Sequence, residues 1–430
     1  MTIRFAYRRK ALAILIVAGA VLPWGPGAAA AIVDVPPGGD SLTRAVAASA
    51  AGDVLRLSAG IYDGPVRIDR ALTIEGAPGA VVDGHGEGRT MEVTTPGVTI
   101  RGLAVRGSGM SLDKMDAAIF IDQAATGAVA ENNDIEDNLV GIYIHGARDA
   151  VARGNRIVGR VLPNLNDSGN GIYVWNAPGA QVIDNDISGG RDGIFTVTSR
   201  NNLFHGNRLH GVRFAVHYMY TNDSEVSDNV SVGNHAGYVM MYSDRVAIRN
   251  NVSDGDRERA LLLNYANGSQ IDGNVVRGGE KCVFIYNANN NVLRGNWFEG
   301  CKIGIHFTAG SERNRMSENA FVNNQAQVMY VGTRSLDWSV GGRGNYWSDN
   351  PAFDLNGDGI ADTAYRPNDV LDQVVWRYPA AKLLLNSPAT QVVRWAQSQF
   401  PAIHPGGVID SAPLMKPPVI AALHRLEMGR

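Results

Sequence analysis

Short apolar stretches recur along the chain at a nearly constant interval, and an asparagine follows each of them. Successive asparagines are 22 or 23 residues apart, with one step of 30. They stand at positions 133, 155, 185, 207, 229, 251, 274, 296 and 319. Most stretches alternate in the manner of a strand, as in residues 141–145, and no segment keeps a sustained helical period. The pattern predicts a repeat of short strands with a period of about 22 residues.

A unit of this length cannot bury its apolar face alone, so neighbouring units must stack. We therefore predict an all-β fold, a right-handed parallel β-helix of about 22-residue coils, with stacked apolar side chains inside and asparagines hydrogen-bonded along the axis. About twelve coils would span roughly 55–60 Å. The long step contains residues 161–168, which we interpret as an inserted loop. The alternative is a leucine-rich repeat horseshoe, but its leucine template is absent.

Strand alternation also predicts which side chains face outward. Ile142 and Ile144 would point inward, so Tyr143 and His145 would point outward. This register predicts two outward columns, the first with Phe120, Tyr143, Tyr173, Phe195, His217, Val239, Leu262, Phe284, His306 and Met329 and the second with Asp122, His145, Trp175, Val197, Met219, Met241, Asn264, Tyr286 and Thr308. These columns are unusually apolar for an outer surface, which indicates a binding surface.

The middle of these columns contains soft metal ligands. Met219 and Met241 fall in the same column on adjacent coils, so their sulfur atoms could reach one ion. His217 lies on the same face, and His235 begins the coil that carries Met241. Met240 should point inward and is a weaker candidate. Thioether and imidazole groups favour Cu(I) over Ca²⁺ or Mg²⁺. The alternative is that these methionines fill gaps or contact a protein partner.

A second methionine pair, Met110 and Met115, lies in a loop that could face the same side. The only cysteines, Cys282 and Cys301, could pair in an oxidising compartment, and the sequence leaves this open.

The N-terminal residues 1–30 have the pattern of a secretory signal peptide. Four cations precede the apolar segment 11–22, and small residues at 28–31 offer a cleavage site. The alternative is an uncleaved N-terminal anchor. Removal of residues 1–30 would leave a net charge of −7, which gives no electrostatic reason to bind nucleic acid or an anionic membrane surface.

The repeat ends after Gly341. Residues 354–362 match the first nine positions of a Ca²⁺-binding loop, although the glutamate expected at position 12 is replaced by Tyr365. The candidate oxygen ligands are Asp354, Asn356, Asp358 and Asp362. This spacing predicts a structural Ca²⁺ site, and the alternative is an Asp/Gly turn without an ion.

Residues 369–400 predict two amphipathic helices that could cap the open end of the β-helix or dock on a partner, and residues 405–430 predict an extended tail.

Segments of this C-terminal region, 344–349, 354–362, 365–369, 376–379 and 383–388, resemble the NosD family of periplasmic copper-binding proteins of nitrous oxide reductase maturation. The resemblance covers essentially the whole mature chain. It implies a periplasmic β-helix on an ABC transporter made of a membrane permease and a cytoplasmic ATPase, with membrane contact only through the permease. It also implies that Cu(I) arrives from a lipoprotein chaperone and serves the copper centres of nitrous oxide reductase.

Together these observations predict three regions: a signal peptide (1–30), a β-helix (31–340), and a C-terminal extension (341–430) that docks on the transporter. One alternative function is a β-helix polysaccharide lyase or epimerase, which would need an acid, a base and cations on the central face. That face offers Met, Val and Leu instead. The resemblance implies a scaffold and metal carrier, so we predict no catalytic residues and no enzymatic activity. The other alternative is a metal-free periplasmic scaffold whose apolar strip binds the reductase.

Overall fold

The computed structural model describes residues 30–332, 334–367, 378–384, 387–399 and 407–424. Across this part of the chain, successive strands form three parallel sheets, A, B and C, with thirteen, thirteen and twelve strands. Each coil contributes one short strand to each sheet, and each strand pairs with the equivalent strand of the next coil. The predicted parallel β-helix is confirmed, with about 14 turns rather than about twelve.

The strands of the three sheets have the following bounds. Sheet A contains Ile32–Val35, Val54–Leu57, Thr73–Gly76, Thr99–Arg101, Val129–Glu131, Val151–Arg153, Gln181–Ile183, Leu203–His205, Glu225–Ser227, Ala247–Arg249, Gln270–Asp272, Val292–Arg294 and Arg315–Ser317. Sheet B contains Gly60–Asp63, Ala80–Asp83, Ala104–Arg106, Asp134–Asn138, Arg156–Gly159, Asp186–Gly189, Arg208–His210, Val230–Val232, Val252–Asp254, Val275–Arg277, Trp297–Glu299, Ala320–Val322 and Tyr346–Trp347. Sheet C contains Val66–Ile68, Met91–Val93, Ala117–Ile121, Val140–His145, Ile172–Trp175, Asp192–Val197, Phe214–Met219, Ala236–Met241, Arg259–Asn264, Lys281–Tyr286, Ile303–Thr308 and Ala326–Val331.

The recurring asparagines form a buried ladder along the axis, as predicted. The side-chain oxygen of Asn229 accepts two hydrogen bonds from Asn207, one from the backbone N–H and one from Nδ2, both at 2.9 Å. Nδ2 of Asn229 donates to the carbonyl of Phe204 at 2.9 Å and to Oδ1 of Asn251 at 3.0 Å. The ladder therefore satisfies polar groups that each coil would otherwise bury without partners.

A short helix that the sequence pattern did not reveal covers the first coils. Helix α1, Ser41–Ala48, buries Leu42 and Val46 in the core. It contacts strands Ile32–Val35, Gly60–Asp63 and Val66–Ile68. The open N-terminal end of the stack is thus shielded from pairing with another chain.

The chain between residues 161 and 168 is an inserted loop, as predicted, and includes a 3₁₀ turn at Leu165–Asp167. The first predicted C-terminal helix falls mostly on residues 368–377, outside the described residues, and is followed by a 3₁₀ helix at Pro379–Leu384. The second is present as helix α2, Pro388–Gln399. The predicted signal peptide also lies outside the described part of the chain, apart from residue 30.

The described part of the predicted C-terminal tail, residues 407–424, packs back onto the β-helix. Strand Val408–Ile409 pairs in parallel with Leu336–Asp337. The buried carboxylate of Asp410 accepts hydrogen bonds from the Asn345 N–H at 2.7 Å and the Trp347 indole at 2.8 Å. Further along, Ile420 and Ala422 are buried against the outer face of sheet B. An apolar column on that face, Val230, Val252, Val275 and Trp297, explains why the tail docks there.

Cys282 and Cys301 form a disulfide that links adjacent coils. Within the described residues, no helix is long and apolar enough to span a membrane.

Candidate metal site

The two outward columns of sheet C have the predicted register. Phe195 pairs with His217 and His217 with Val239, while Met219 pairs with Met241 on the next coil. Side chains at paired positions of parallel strands point to the same face of the sheet. The two thioethers therefore lie side by side, each half-buried.

Aromatic stacking covers much of this face on the N-terminal side of the methionines. Ring centroids are 4.5 Å apart for Tyr143 and Tyr173, 5.0 Å for Tyr173 and Phe195, and 4.7 Å for Phe195 and His217. In the second column His145 stacks on Trp175 at 4.4 Å. Because each ring covers the next, the strip keeps water from the faces of its own members, and burial lowers the pKa of His145.

His217 is held in place by a buried carboxylate. Asp192 Oδ2 lies 3.0 Å from Nδ1 of His217 and 2.7 Å from Nη2 of Arg213, and Asp192 Oδ1 lies 2.8 Å from the Arg213 Nε. Burial alone would raise the pKa of Asp192, but the hydrogen bonds from His217 and Arg213 outweigh it and hold the pKa below its ordinary value. The carboxylate therefore remains charged and fixes the imidazole ring.

The second nitrogen of His217 has no partner. Nε2 is buried and makes no hydrogen bond to any described residue. The carboxylate can only accept, so Nδ1 is the donor to Asp192, and in a neutral imidazole the lone pair available to a ligand is then on Nε2. A histidine whose one nitrogen is bound to a carboxylate while the other is free has the arrangement of a metal ligand with its outer-shell partner.

The other two members of the predicted site are placed differently. Met240 is fully buried in the core, on the opposite side of the strand from Met241, as strand alternation predicted. The His235 ring is separated from His217 by Phe214, whose ring contacts both. The His235 Nε2 also lies 2.8 Å from a carboxylate oxygen of Glu258. The described geometry therefore brings His217, Met219 and Met241 together on one face, and leaves Met240 and His235 outside this group.

Asp192 and Arg213 were missed at the sequence level. Asp192 begins its strand at the position that Phe214 and Ala236 occupy on the next two coils. A carboxylate at a position that is apolar on the next two coils was the signal that could have identified it.

Exposed tyrosines border the methionines. Tyr220, Tyr242 and Tyr265 stack with ring centroids 5.1 Å apart. All three have left-handed backbone conformations with φ near +50°, which is unfavourable for a bulky side chain. The equivalent residue is Thr198 on the preceding coil, which has the same left-handed backbone, and Asn176 and Asn287 further along the column. Asparagine is a residue type that tolerates this conformation. The preference of the backbone alone therefore does not explain three stacked tyrosines at this corner.

The alternative methionine pair lies elsewhere. Met110 is exposed, contacts the Arg160 guanidinium, and lines an 860 Å³ cavity between loops. Met115 packs against the cluster of Phe120 and Tyr143. Neither residue joins the Met219–Met241 pair.

The loop at residues 354–362 uses its carboxylates internally. Asp354 accepts hydrogen bonds from the backbone of Gly357 and Gly359 at 2.7 and 2.8 Å. Asp362 accepts one from Leu355, and the Asn356 amide donates to Asp358 at 3.1 Å. Among the described residues, no three His, Cys, Asp or Glu side chains are grouped to hold a metal ion. The Ca²⁺ site therefore stays a prediction.

Comparison with known proteins adds an independent line of information. A model of the family described as "Periplasmic copper-binding protein (NosD)" matches residues 150–352. A protein of Stutzerimonas stutzeri named "Probable ABC transporter binding protein NosD" is 42% identical over 378 residues, 84% of this chain and 87% of that protein. A protein of the same name from Pseudomonas aeruginosa is 41% identical over 376 residues, 84% of this chain and 88% of that protein.

Solved structures share the architecture. An alginate lyase in complex with a trisaccharide superimposes with a TM-score of 0.55 over 77% of this chain and 91% of that one. Its sequence identity is 13%, so the likeness is one of fold alone.

Proposed function

The chain belongs to the NosD family, and on that premise we propose that it is a periplasmic copper-binding subunit of an ABC transporter complex. It would receive Cu(I) from a lipoprotein chaperone and present it for assembly of the copper centres of nitrous oxide reductase. The observation that carries the proposal is the pairing of Met219 with Met241 beside His217 on one outer face.

The donor set suits Cu(I) as cargo. Two thioethers and one imidazole are soft or borderline neutral ligands, which select Cu(I) over hard divalent ions. Asp192 supplies a negative charge next to the imidazole without itself lying in the outward columns. It would offset the positive charge of the bound ion, while Arg213 limits that effect by sharing the carboxylate. This partial compensation of the charge of the bound ion favours binding that is selective but reversible, as delivery requires.

The stacked coils suit a mechanical role. Each strand of the β-helix is hydrogen-bonded to the equivalent strand of the next coil, which favours movement of the stack as one body. We propose that ATP-driven movement of the permease reorients the β-helix and alternates the partner that reaches the outer face of sheet C.

Helix α2 is the proposed contact with the permease. Its Val392 and Trp395 side chains are largely exposed, which is unusual for large apolar residues on a helix that serves only as a cap. We expect a Val392→Ser/Trp395→Ser variant to remain folded but to lose co-purification with the permease. Retained co-purification would exclude α2 as the docking element. Truncation after Gly341 is a poorer test, because it would also remove Ile420 and Ala422 from the outer face of sheet B.

A binding role rather than catalysis is supported by the names of the two relatives, both transporter binding proteins. The decisive experiment is an anaerobic Cu(I) titration of the mature chain against a competing chelator. We expect tight binding that is lost or strongly weakened in a Met219→Leu/Met241→Leu variant. Met415→Leu, a half-buried methionine of the C-terminal tail, is the matched control. Unchanged affinity in the double variant would move the site elsewhere, and absence of binding by the wild type would favour a metal-free scaffold.

A further inference from the structure

A second imidazole–thioether pair lies on the same outer face of sheet C. His306 and Met329 are directly paired on adjacent coils, in the column that also contains His217. Both side chains are half-exposed. We propose that His306 and Met329 form a second Cu(I)-binding position, separate from the one at Met219 and Met241. This inference rests on the proposed function in one respect, namely that the chain binds Cu(I).

The imidazole of His306 has an unsatisfied nitrogen. Its Nδ1 is buried and has no hydrogen-bond partner among the described residues. The ring packs against Phe284 with centroids 4.8 Å apart, which limits its rotation. A buried nitrogen without a hydrogen-bond partner destabilises the folded protein. A soft cation bound between this ring and the Met329 sulfur would remove that cost.

Nearby positive charges are compensated. Lys281 and Arg259 begin the strands of the two preceding coils, and both would repel a cation if they were unpaired. Lys281 forms an ion pair with Glu280, and Arg259 with Glu258 at 2.5 Å. Each of these two cations therefore has a carboxylate that offsets part of its repulsion, and a monovalent cation meets less of the remainder than a divalent one.

Access is open at this end of the sheet. Strand Ala326–Val331, which carries Met329, is the terminal strand of sheet C. Beyond it no further sheet C strand among the described residues covers the Met329 side chain. The pair can therefore be approached from solvent or by a partner at the C-terminal end of the β-helix.

The two positions must bind separate ions. His217 and His306 are four coils apart, which corresponds to about 19 Å at the usual strand spacing. The intervening members of their column are Val239, Leu262 and Phe284, which offer no metal ligand. With two ligands rather than three, the His306–Met329 position should bind Cu(I) more weakly than the first.

The test is the stoichiometry of Cu(I) bound by the mature chain under anaerobic chelator competition. We expect two equivalents for the wild type, one for Met219→Leu/Met241→Leu, and none when His306→Phe and Met329→Leu are added. These replacements suit the fold, because Phe195, Phe284 and Leu262 occupy the same column. X-ray absorption of the Met219→Leu/Met241→Leu variant should give one sulfur and at least one nitrogen neighbour of copper.

The outcomes separate this inference from the proposed function. One equivalent in the wild type, lost in Met219→Leu/Met241→Leu, would leave the proposed function standing and overturn the second position. If the Met219→Leu/Met241→Leu variant keeps one equivalent of Cu(I) after His306→Phe and Met329→Leu are added, the second position is also overturned. No binding by the wild type would overturn both. Circular dichroism of each variant, with Met415→Leu as control, would verify that loss of binding is not loss of fold.

Discussion

Asp192 and His217 lie 25 residues apart in the sequence, yet the carboxylate Oδ2 of one is 3.0 Å from the imidazole Nδ1 of the other. The contact crosses from one coil to the next and is fully buried at Asp192. It orients the ring so that Nε2 is the nitrogen left for a ligand. The first consequence concerns copper affinity.

We expect Asp192→Asn to weaken Cu(I) binding at the Met219–Met241 position by about 10–100-fold, because removal of an outer-shell carboxylate typically has this effect. The asparagine side chain has nearly the same volume as the aspartate side chain, and its amide oxygen can still accept one hydrogen bond. Affinity is measured by chelator competition. Asp186→Asn, at an exposed aspartate on sheet B, is the control. An unchanged affinity in Asp192→Asn would show that His217 is not a ligand.

The second prediction concerns the pH dependence of stability. Asp256 is buried in a turn, where its carboxyl group is bonded to Ser231, Ser253 and Asn234. Burial raises its pKa despite these hydrogen bonds. A raised folded-state pKa gives stability that is complete below the ordinary Asp value of about 3.9 and is lost as the pH rises through the folded value.

The non-ionising Asp256→Asn variant should therefore be more stable than the wild type at pH 7, by about 1 kcal/mol. The difference should vanish below about pH 4. Urea unfolding at both pH values measures it. The replacement suits the site, because the equivalent residue of the preceding coil is already an asparagine, Asn234, whose backbone N–H donates to Asp256. A variant that is less stable than the wild type at pH 7 would contradict the prediction.

The asparagine ladder makes a third prediction. Asn229→Ala removes four side-chain hydrogen bonds and leaves the buried N–H of Asn207 without an acceptor. We expect a loss of about 3–4 kcal/mol in the free energy of unfolding. Asn166→Ala, in the exposed inserted loop, should change it by less than about 0.5 kcal/mol. Comparable losses in the two variants would mean that the ladder contributes little.

The fourth prediction concerns the loop at 354–362. If Ca²⁺ binds there, saturating Ca²⁺ at about 100 times its dissociation constant should stabilise the protein by about 2.7 kcal/mol. Thermal unfolding with Ca²⁺ and with a chelator measures this. Asp354→Ala should abolish the difference, and it also removes the hydrogen bonds to Gly357 and Gly359. A melting temperature that does not depend on Ca²⁺ in the wild type would leave a simple Asp/Gly turn.

The β-helix and the register of its outer face could be predicted because stacking converts a period in sequence into a column in space. Once Tyr143 was assigned to the outer side of its strand, the repeat period was therefore enough to place Met219 beside Met241. Helix α1 could not be predicted in this way, since eight residues are too few to establish a period. The docking of Ile420 on sheet B depends on residues far away in the sequence, from Val230 to Trp297, which no local pattern reports.

The candidate site was predictable only in part, for a related reason. Strand alternation shows which side of a strand a residue occupies, and it correctly placed Met241 on the outer side and Met240 on the inner side. It does not show that Asp192 and Arg213 meet His217 across a coil boundary, because that contact depends on side-chain length and rotamer. Nor does it show that Tyr220 and its equivalents adopt a left-handed backbone, where asparagine or glycine would have been expected.

The regular pairing of coils also fixes the distances between side chains along the outer face of sheet C. Between His217 and His306 every coil adds one strand to each sheet with no shift in register. Deletion or duplication of one complete repeat in this interval would change the separation of the two histidines by one step of about 4.8 Å. The orientation of both side chains would stay the same. Distance along the outer face is thus set by the number of repeats, and selection can adjust the span between two partners by whole units without redesigning either end.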